Sequence, residues 1–151
     1  MNYWLMKTEP DVFSIDRLAK LGTSLWDGVR NYQARNFMQS MKIGDEVLFY
    51  HSSCEPPGVA GRARVAGLAE PDPSQFEKKS EYFDKKASLA KPIWYCVRVE
   101  FVAKFPRLVS LNELRAEKKL ADMLVLKKGQ RLSIQPVAAK EFKCVEQMAL
   151  R

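Results

Sequence analysis

The chain has 151 residues, 46% of them hydrophobic and 28% charged, which suits one folded domain that buries a core without disulfide or metal staples and excludes a disordered tail. Its formal net charge of +7 suits a polyanionic partner, because each neutralised phosphate releases counterions, and equally suits a charge carried for solubility. Lysine and arginine are spread from Lys7 to Arg151, with local pairs at Lys78-Lys79, Lys85-Lys86, Lys118-Lys119 and Lys127-Lys128.

In chain order, Tyr3 to Lys7 places aromatic and branched residues at close spacing and predicts a first strand. The opening residues Met1 to Thr8 are too short and too soon charged for a signal peptide, and no apolar run approaches the ~20 residues that span a bilayer. A cytoplasmic protein with no membrane partner is expected. Thr8-Glu9-Pro10-Asp11 breaks the strand, and Ser14 is a candidate cap for a short helix reaching Leu18 or Leu21 and ended by Gly22.

Leu25 to Asn36 then brings Trp26, Asp27, Arg30, Asn31, Tyr32 and Arg35 together around Gly28, a mixture that few core segments need. Glycine opens backbone angles closed to other residues, so a corner is predicted at Gly28. Asn31 can cap the helix that follows to about Met41, with Ala34, Phe37, Met38 and Met41 inward and Tyr32, Arg35 and Asn36 on another side. Trp26, between a strand end and this corner, is read as a pocket residue rather than a core one.

Lys42 to Asp45 is a turn into the strand Glu46 to His51, bounded by a loop containing Pro56-Pro57-Gly58. Val59 to Leu68 reads as a strand whose small residues mark a bend or a close approach. Its return partner, Ile93 to Val102, carries the clearest alternation in the chain. Between them Glu70 to Pro92 holds three prolines, a lysine-rich middle and the aromatics Tyr82 and Phe83, a connection long enough to be functional or mobile. Ser110 with Glu113 fits a capping box for another helix. Ala121 to Lys128 has no clear assignment. Leu132 to Val137 is a last strand and Lys140 to Leu150 a closing helix, with Phe142, Val145, Met148 and Ala149 inward. The sum is α+β, five or six strands in a curled mixed sheet or small barrel with short helices packed around it.

The chain lacks a phosphate-binding glycine loop, a dinucleotide fingerprint and a nucleophile elbow. Cys54, Cys96 and Cys144 are odd in number and far apart, and His51 is the lone histidine, so neither a disulfide framework nor a zinc site is expected, nor any cofactor. A Cys54–His51 pair is the one nucleophile that spacing allows, without a third group to orient it. Glu9, Asp11 and Asp27 have no spacing that argues acid-base work. What the chain offers is aromatic rings near hydrogen-bonding groups at Trp4, Trp26, Tyr32, Tyr50, Tyr82 and Trp94, a setting for stacking on a base or a cation. Trp94, opening an alternating strand, reads as core rather than pocket, and Trp4 likewise.

Four ordered blocks carry a resemblance: Tyr3 to Pro10, Trp26 to Met38, Gly44-Asp45 with Tyr50-His51-Ser52, and Arg131 to Val137. Over nearly the whole chain they resemble the EVE domain, in the pattern of its stand-alone bacterial members and the thymocyte nuclear protein group. The resemblance implies a PUA-like fold. It also implies kinship with YTH domains, which hold a methylated adenine in an aromatic cage, and with readers of a modified cytosine flipped from DNA. By that analogy Trp26 stacks on the base, Asn31 and Ser52 address its polar edge, and Tyr82 or Trp94 closes the cage.

The expected function is a non-catalytic reader of DNA or RNA; the residues leave its oligomeric state open and favour a monomer. A pocket of Trp26, Asn31, Tyr32, Tyr50, His51, Ser52, Trp94 and Gln135 takes one modified base, while Lys7, Arg35, Lys78, Lys79, Lys85 and Lys86 hold the backbone. Two rivals remain: a general PUA-type RNA-binding module, and an enzyme on a small nucleotide-like ligand using His51 as acid or base.

Overall fold

The computed structural model describes residues 1–129 and 131–151. Its strands are β1 (Tyr3–Thr8), β2 (Thr23–Leu25), β3 (Glu46–His51), β4 (Gly58–Pro71), β5 (Tyr95–Ser110) and β6 (Ile134–Val137), and its helices are α1 (Ile15–Leu21), α2 (Tyr32–Ser40), α3 (Leu111–Ala116) and α4 (Ala139–Ala149). The strands form one mixed open sheet in the order β2-β5-β4-β3-β1-β6. The pair β1–β3 is parallel and the other pairs are antiparallel.

Local chemistry sets the helix starts. The Ser14 hydroxyl accepts from the Arg17 amide, the Asn31 side chain from the Ala34 amide, and Ser110 and Glu113 make a reciprocal capping box, each satisfying amides that the first helical turn leaves free.

Side chains alternate across the sheet, and both faces are covered. Trp4, Met6, Val47 and Phe49 join one cluster with Leu18 of α1 and Ala34 and Met38 of α2. Leu5, Leu48 and Tyr50 join a second with Leu114 of α3 and Phe142 and Val145 of α4. That is why β1 and β3 read as nearly continuous apolar runs. Among the described residues no helix is long and apolar enough to cross a membrane.

Three elements differ from the sequence expectation. The β2 strand is only three residues, Thr23–Leu25, too short to show a period, and it exists because β5 pairs with it through Ser24 and Val99. The β4 and β5 strands run on to Pro71 and Ser110, beyond the expected Leu68 and Val102, with register shifts that bend the pair. The bend needs Gly61, where a Cβ would overlap the Ala103 carbonyl oxygen. The unassigned segment near Ala121 contains a single 3-10 turn, Leu124–Leu126.

Candidate functional site

The corner after β2 is built by one buried carboxylate. The Trp26 amide donates to the Val97 carbonyl at 2.8 Å, the last sheet bond before the chain turns away. Gly28 follows with φ +80°, and its amide donates to Asp72 Oδ2 at 2.8 Å. The same oxygen accepts from Arg30 Nη1 at 3.1 Å, and Asp72 Oδ1 accepts from the Ser74 amide at 2.8 Å and from its hydroxyl. Burial alone would raise the Asp72 carboxyl, but these donors outweigh it and hold the group below the ordinary carboxylate range.

Gln75, also buried, ties the far end of the same connection. Its amide nitrogen donates to the Asp72 and Trp94 carbonyls, and its oxygen accepts from the Ile93 and Trp94 amides. The long connection from β4 to β5 is therefore anchored at its base.

Above that base, rings and guanidinium groups stack in layers. Arg35 lies 4.9 Å from the Tyr32 ring centroid, Tyr32 stacks on Trp94 at 4.8 Å, and Arg30 lies 5.3 Å from Trp94 and 5.5 Å from Tyr82. Tyr82 ends the ladder against Gly28, where an added Cβ would come within 2.8 Å of its ring. Arg30 Nε and Nη2 donate to the Tyr82 carbonyl at 3.0 and 2.7 Å, so the guanidinium fixes both the backbone and the ring of that residue.

In front of this wall is a cleft of about 360 Å³. Its floor and sides come from the end of β1 (Lys7, Thr8, Glu9), from Val12 and Phe13, from the corner Leu25 to Arg30, and from Tyr82 and Ser133. Trp26 is 6% exposed and packs edge-on against Phe49 and Phe13 at 5.5 and 6.1 Å. It is thus both a core residue and a wall of the cleft, where the sequence had favoured the second.

Tyr82, expected by the resemblance as one closing wall, lines the cleft; none of the other residues expected around the base does. Asn31 caps α2. Tyr32 and Trp94 belong to the ladder behind the wall; Trp94 is 5% exposed and its Nε1–H donates to Asp84 at 2.9 Å. His51 Nε2 accepts from the Ile15 amide at 3.2 Å, and burial keeps the imidazole pKa below its usual value. The Ser52 amide donates to the Thr8 carbonyl at 2.9 Å. Tyr50 packs in the cluster on the opposite face of the sheet. Gln135 faces the same way, because it pairs with Leu5 of that cluster; its amide nitrogen donates to the Leu132 carbonyl at 2.9 Å. The structure therefore separates Tyr50 and Gln135 from Trp26 by the sheet itself.

Of the residues expected to hold a backbone, Lys7 contributes to the cleft lining, but it pairs with Tyr50 and its ammonium lies 5.8 Å from that ring's centroid, on the opposite face of the sheet from Trp26, with its pKa lowered by desolvation. Lys78, Lys79, Lys85 and Lys86 are exposed on the connection that carries Tyr82. Arg35 is partly committed, with Nη1 donating to the Ile93 carbonyl at 2.9 Å and Nε and Nη2 to Asn36 Oδ1. The Cys54–His51 pair is not an activated nucleophile. Burial, then Glu55, pushes the thiol up, and Sγ donates to the Pro56 carbonyl while the imidazole holds the Ile15 amide.

Sequence reading missed Asp72, Gln75 and Arg30 as builders of the site and left Asp27 without a role. Asp72-Pro73-Ser74 has the form of a capped turn with proline at its first position. Nothing local says that its carboxylate reaches 44 residues back to Gly28.

A mixed open sheet with helices on both faces and an aromatic cleft at its corner defines a PUA-like α+β domain. The chain belongs to the EVE domain family, whose profile matches residues 2–148. Human thymocyte nuclear protein 1 is 43% identical over 159 residues, covering 93% of this chain and 71% of that protein. The structure of a hypothetical protein from Leishmania major superposes with a TM-score of 0.96 at 49% identity, over 99% of this chain and 95% of that one. The crystal structure of human THYN1 protein in complex with 5-methylcytosine-containing DNA superposes with a TM-score of 0.93 at 40% identity, over 100% of this chain and 99% of that one.

Proposed function

We propose that this chain is a non-catalytic DNA-binding protein that takes one 5-methylated cytosine base, extruded from its strand, into the cleft walled by Trp26. The observation that carries the reading is the cleft: aromatic surface from Trp26, Phe13 and Tyr82 beside the polar side chains of Thr8, Glu9, Asp27 and Ser133, at the corner of a fold shared with the DNA-bound human relative. Extruding a base costs a few kcal/mol, while stacking returns ~1–3 kcal/mol per base. Phosphate contacts must supply the remainder, and Lys78, Lys79, Lys85 and Lys86 stand exposed on the segment that carries Tyr82.

The test is fluorescence anisotropy at fixed salt with strands of one sequence, in DNA and RNA, carrying 5-methylcytosine or plain cytosine. A buried methyl group stabilises by about 0.8 kcal/mol, so a DNA preference of about fourfold for the methylated strand is expected. Trp26→Phe keeps the core filled while shrinking the wall and should bring that ratio toward one. Equal affinity of the unsubstituted chain for modified and plain strands overturns the reading, and a stronger preference for RNA of either kind replaces it with a general RNA-binding role.

A further inference from the structure

We propose that Asp27 is the specificity-determining residue of the cleft, its carboxylate accepting a hydrogen bond from the exocyclic amino group of a cytosine and rejecting thymine and uracil. The assignment rests on the base-binding reading above and names the group that would choose the base.

Asp27 lies in the cleft lining between Trp26 and Gly28. The strong hydrogen-bonding side chains beside it are committed. Arg30 donates to Asp72, Ser74, Val29 and Tyr82, and Asp72 accepts from Gly28, Arg30 and Ser74. Asp27 is different. Among the described residues no side chain or amide of another residue donates to its carboxylate, and no cation makes an ion pair with it. Desolvation, then the nearby Asp72 charge, pushes its carboxyl up, and because the residue is exposed, a base entering the cleft displaces the water that otherwise supplies its donors. A ligand that brings an N–H relieves this deficit, and one that brings a lone pair deepens it.

That difference separates two bases of nearly the same shape. 5-Methylcytosine and thymine share the ring, the methyl group and the 2-carbonyl; they differ at position 4, an amine that donates against a carbonyl that accepts, and at N3. A donor to the shared 2-carbonyl binds both bases without choosing between them. A carboxylate facing position 4 chooses, with a discrimination of about 5- to 150-fold for one such edge contact.

The experiment uses the full chain and one DNA strand in which a single position is 5-methylcytosine, thymine or an abasic residue. The unsubstituted chain should bind the three in that order, methylcytosine at least about fivefold ahead of thymine. In Asp27→Asn the amide can turn to donate or to accept, and the methylcytosine-to-thymine ratio should fall to near one while affinity for the abasic strand is unchanged. Asp27→Ala should lower the same ratio by losing the contact altogether. Removing a charge held at a raised pKa relieves its cost at neutral pH, so Asp27→Asn should melt no lower than the unsubstituted chain, which separates lost recognition from lost folding. If the unsubstituted chain distinguishes methylcytosine from the abasic strand but not from thymine, or if Asp27→Asn keeps the full ratio, the assignment to Asp27 is overturned while base binding stands. If the unsubstituted chain binds all three strands alike, the base-binding reading itself is overturned, and this assignment with it.

Discussion

Asp72 gathers Gly28, Arg30 and Ser74 around one side chain that is 0% exposed, and this makes it the most sensitive position near the cleft. Asp72→Asn keeps the shape and removes the charge, leaving the Arg30 guanidinium, itself only 22% exposed, without its counter-ion. Breaking such a pair costs about 3 kcal/mol, read as a lower denaturant midpoint at constant slope. The pH dependence follows from the depressed pKa. The contribution is complete above the unfolded-state carboxylate value and disappears as pH falls through the lower folded value. The unsubstituted chain should therefore lose stability in acid from about pH 4 downward, and Asp72→Asn should lose less over the same interval because this group no longer titrates.

At the scale of elements, the alternating ladder of Arg35, Tyr32, Trp94, Arg30 and Tyr82 joins α2 to the connection between β4 and β5. Tyr32 is 59% exposed, so Tyr32→Ala removes a stacked pair with little loss of core, at about 0.5–1.5 kcal/mol. The expected signature is local: faster amide exchange and proteolysis around Lys78 to Lys86, with the sheet amides unchanged. Exchange rising evenly over the chain would show that the ladder is not what holds the segment. Elements of this kind were unequally legible in the sequence. Ser14, Asn31 and Ser110 announce helix starts because a cap is local chemistry, and β1 and β3 show themselves through unbroken apolar runs. The β2 strand has no signal of its own. The continuation of β5 is hidden by Pro106, which a sheet accepts only where the ladder is interrupted, here in the irregular stretch between the paired residues Lys104 and Val109. The site was half legible for the same reason. The Trp26-Gly28 corner and Tyr82 are readable from residue type, whereas Tyr50 and Gln135 could be placed on the far face only by knowing the register of β3 and β6.

For the whole molecule, the net charge of +7 becomes informative once it is located. Four exposed lysines ride on the segment that walls the cleft, with further pairs at Lys118-Lys119 and Lys127-Lys128 elsewhere on the surface. If the first four neutralise phosphates of a bound duplex, replacing Lys78, Lys79, Lys85 and Lys86 by glutamine should flatten the plot of log affinity against log salt by about 0.9 per lost contact. The ratio between methylated and plain strands should not move, because phosphate contacts position and do not select. A slope unchanged in the variant would assign the backbone contacts to the other pairs.

The register of β1 also bears on how the protein is made. Leu5 pairs with Gln135, 130 positions further on, and β1 is apolar on both faces. While the ribosome adds residues at about 5–20 per second, the outer edge of that strand waits on the order of ten seconds for the partner that will close it. An open apolar edge of this kind invites pairing with another nascent chain. For this protein the interval between translating β1 and β6 is the period of greatest exposure to aggregation, and a chaperone that covers the first strand during that interval would raise the yield of folded chains without altering the final structure.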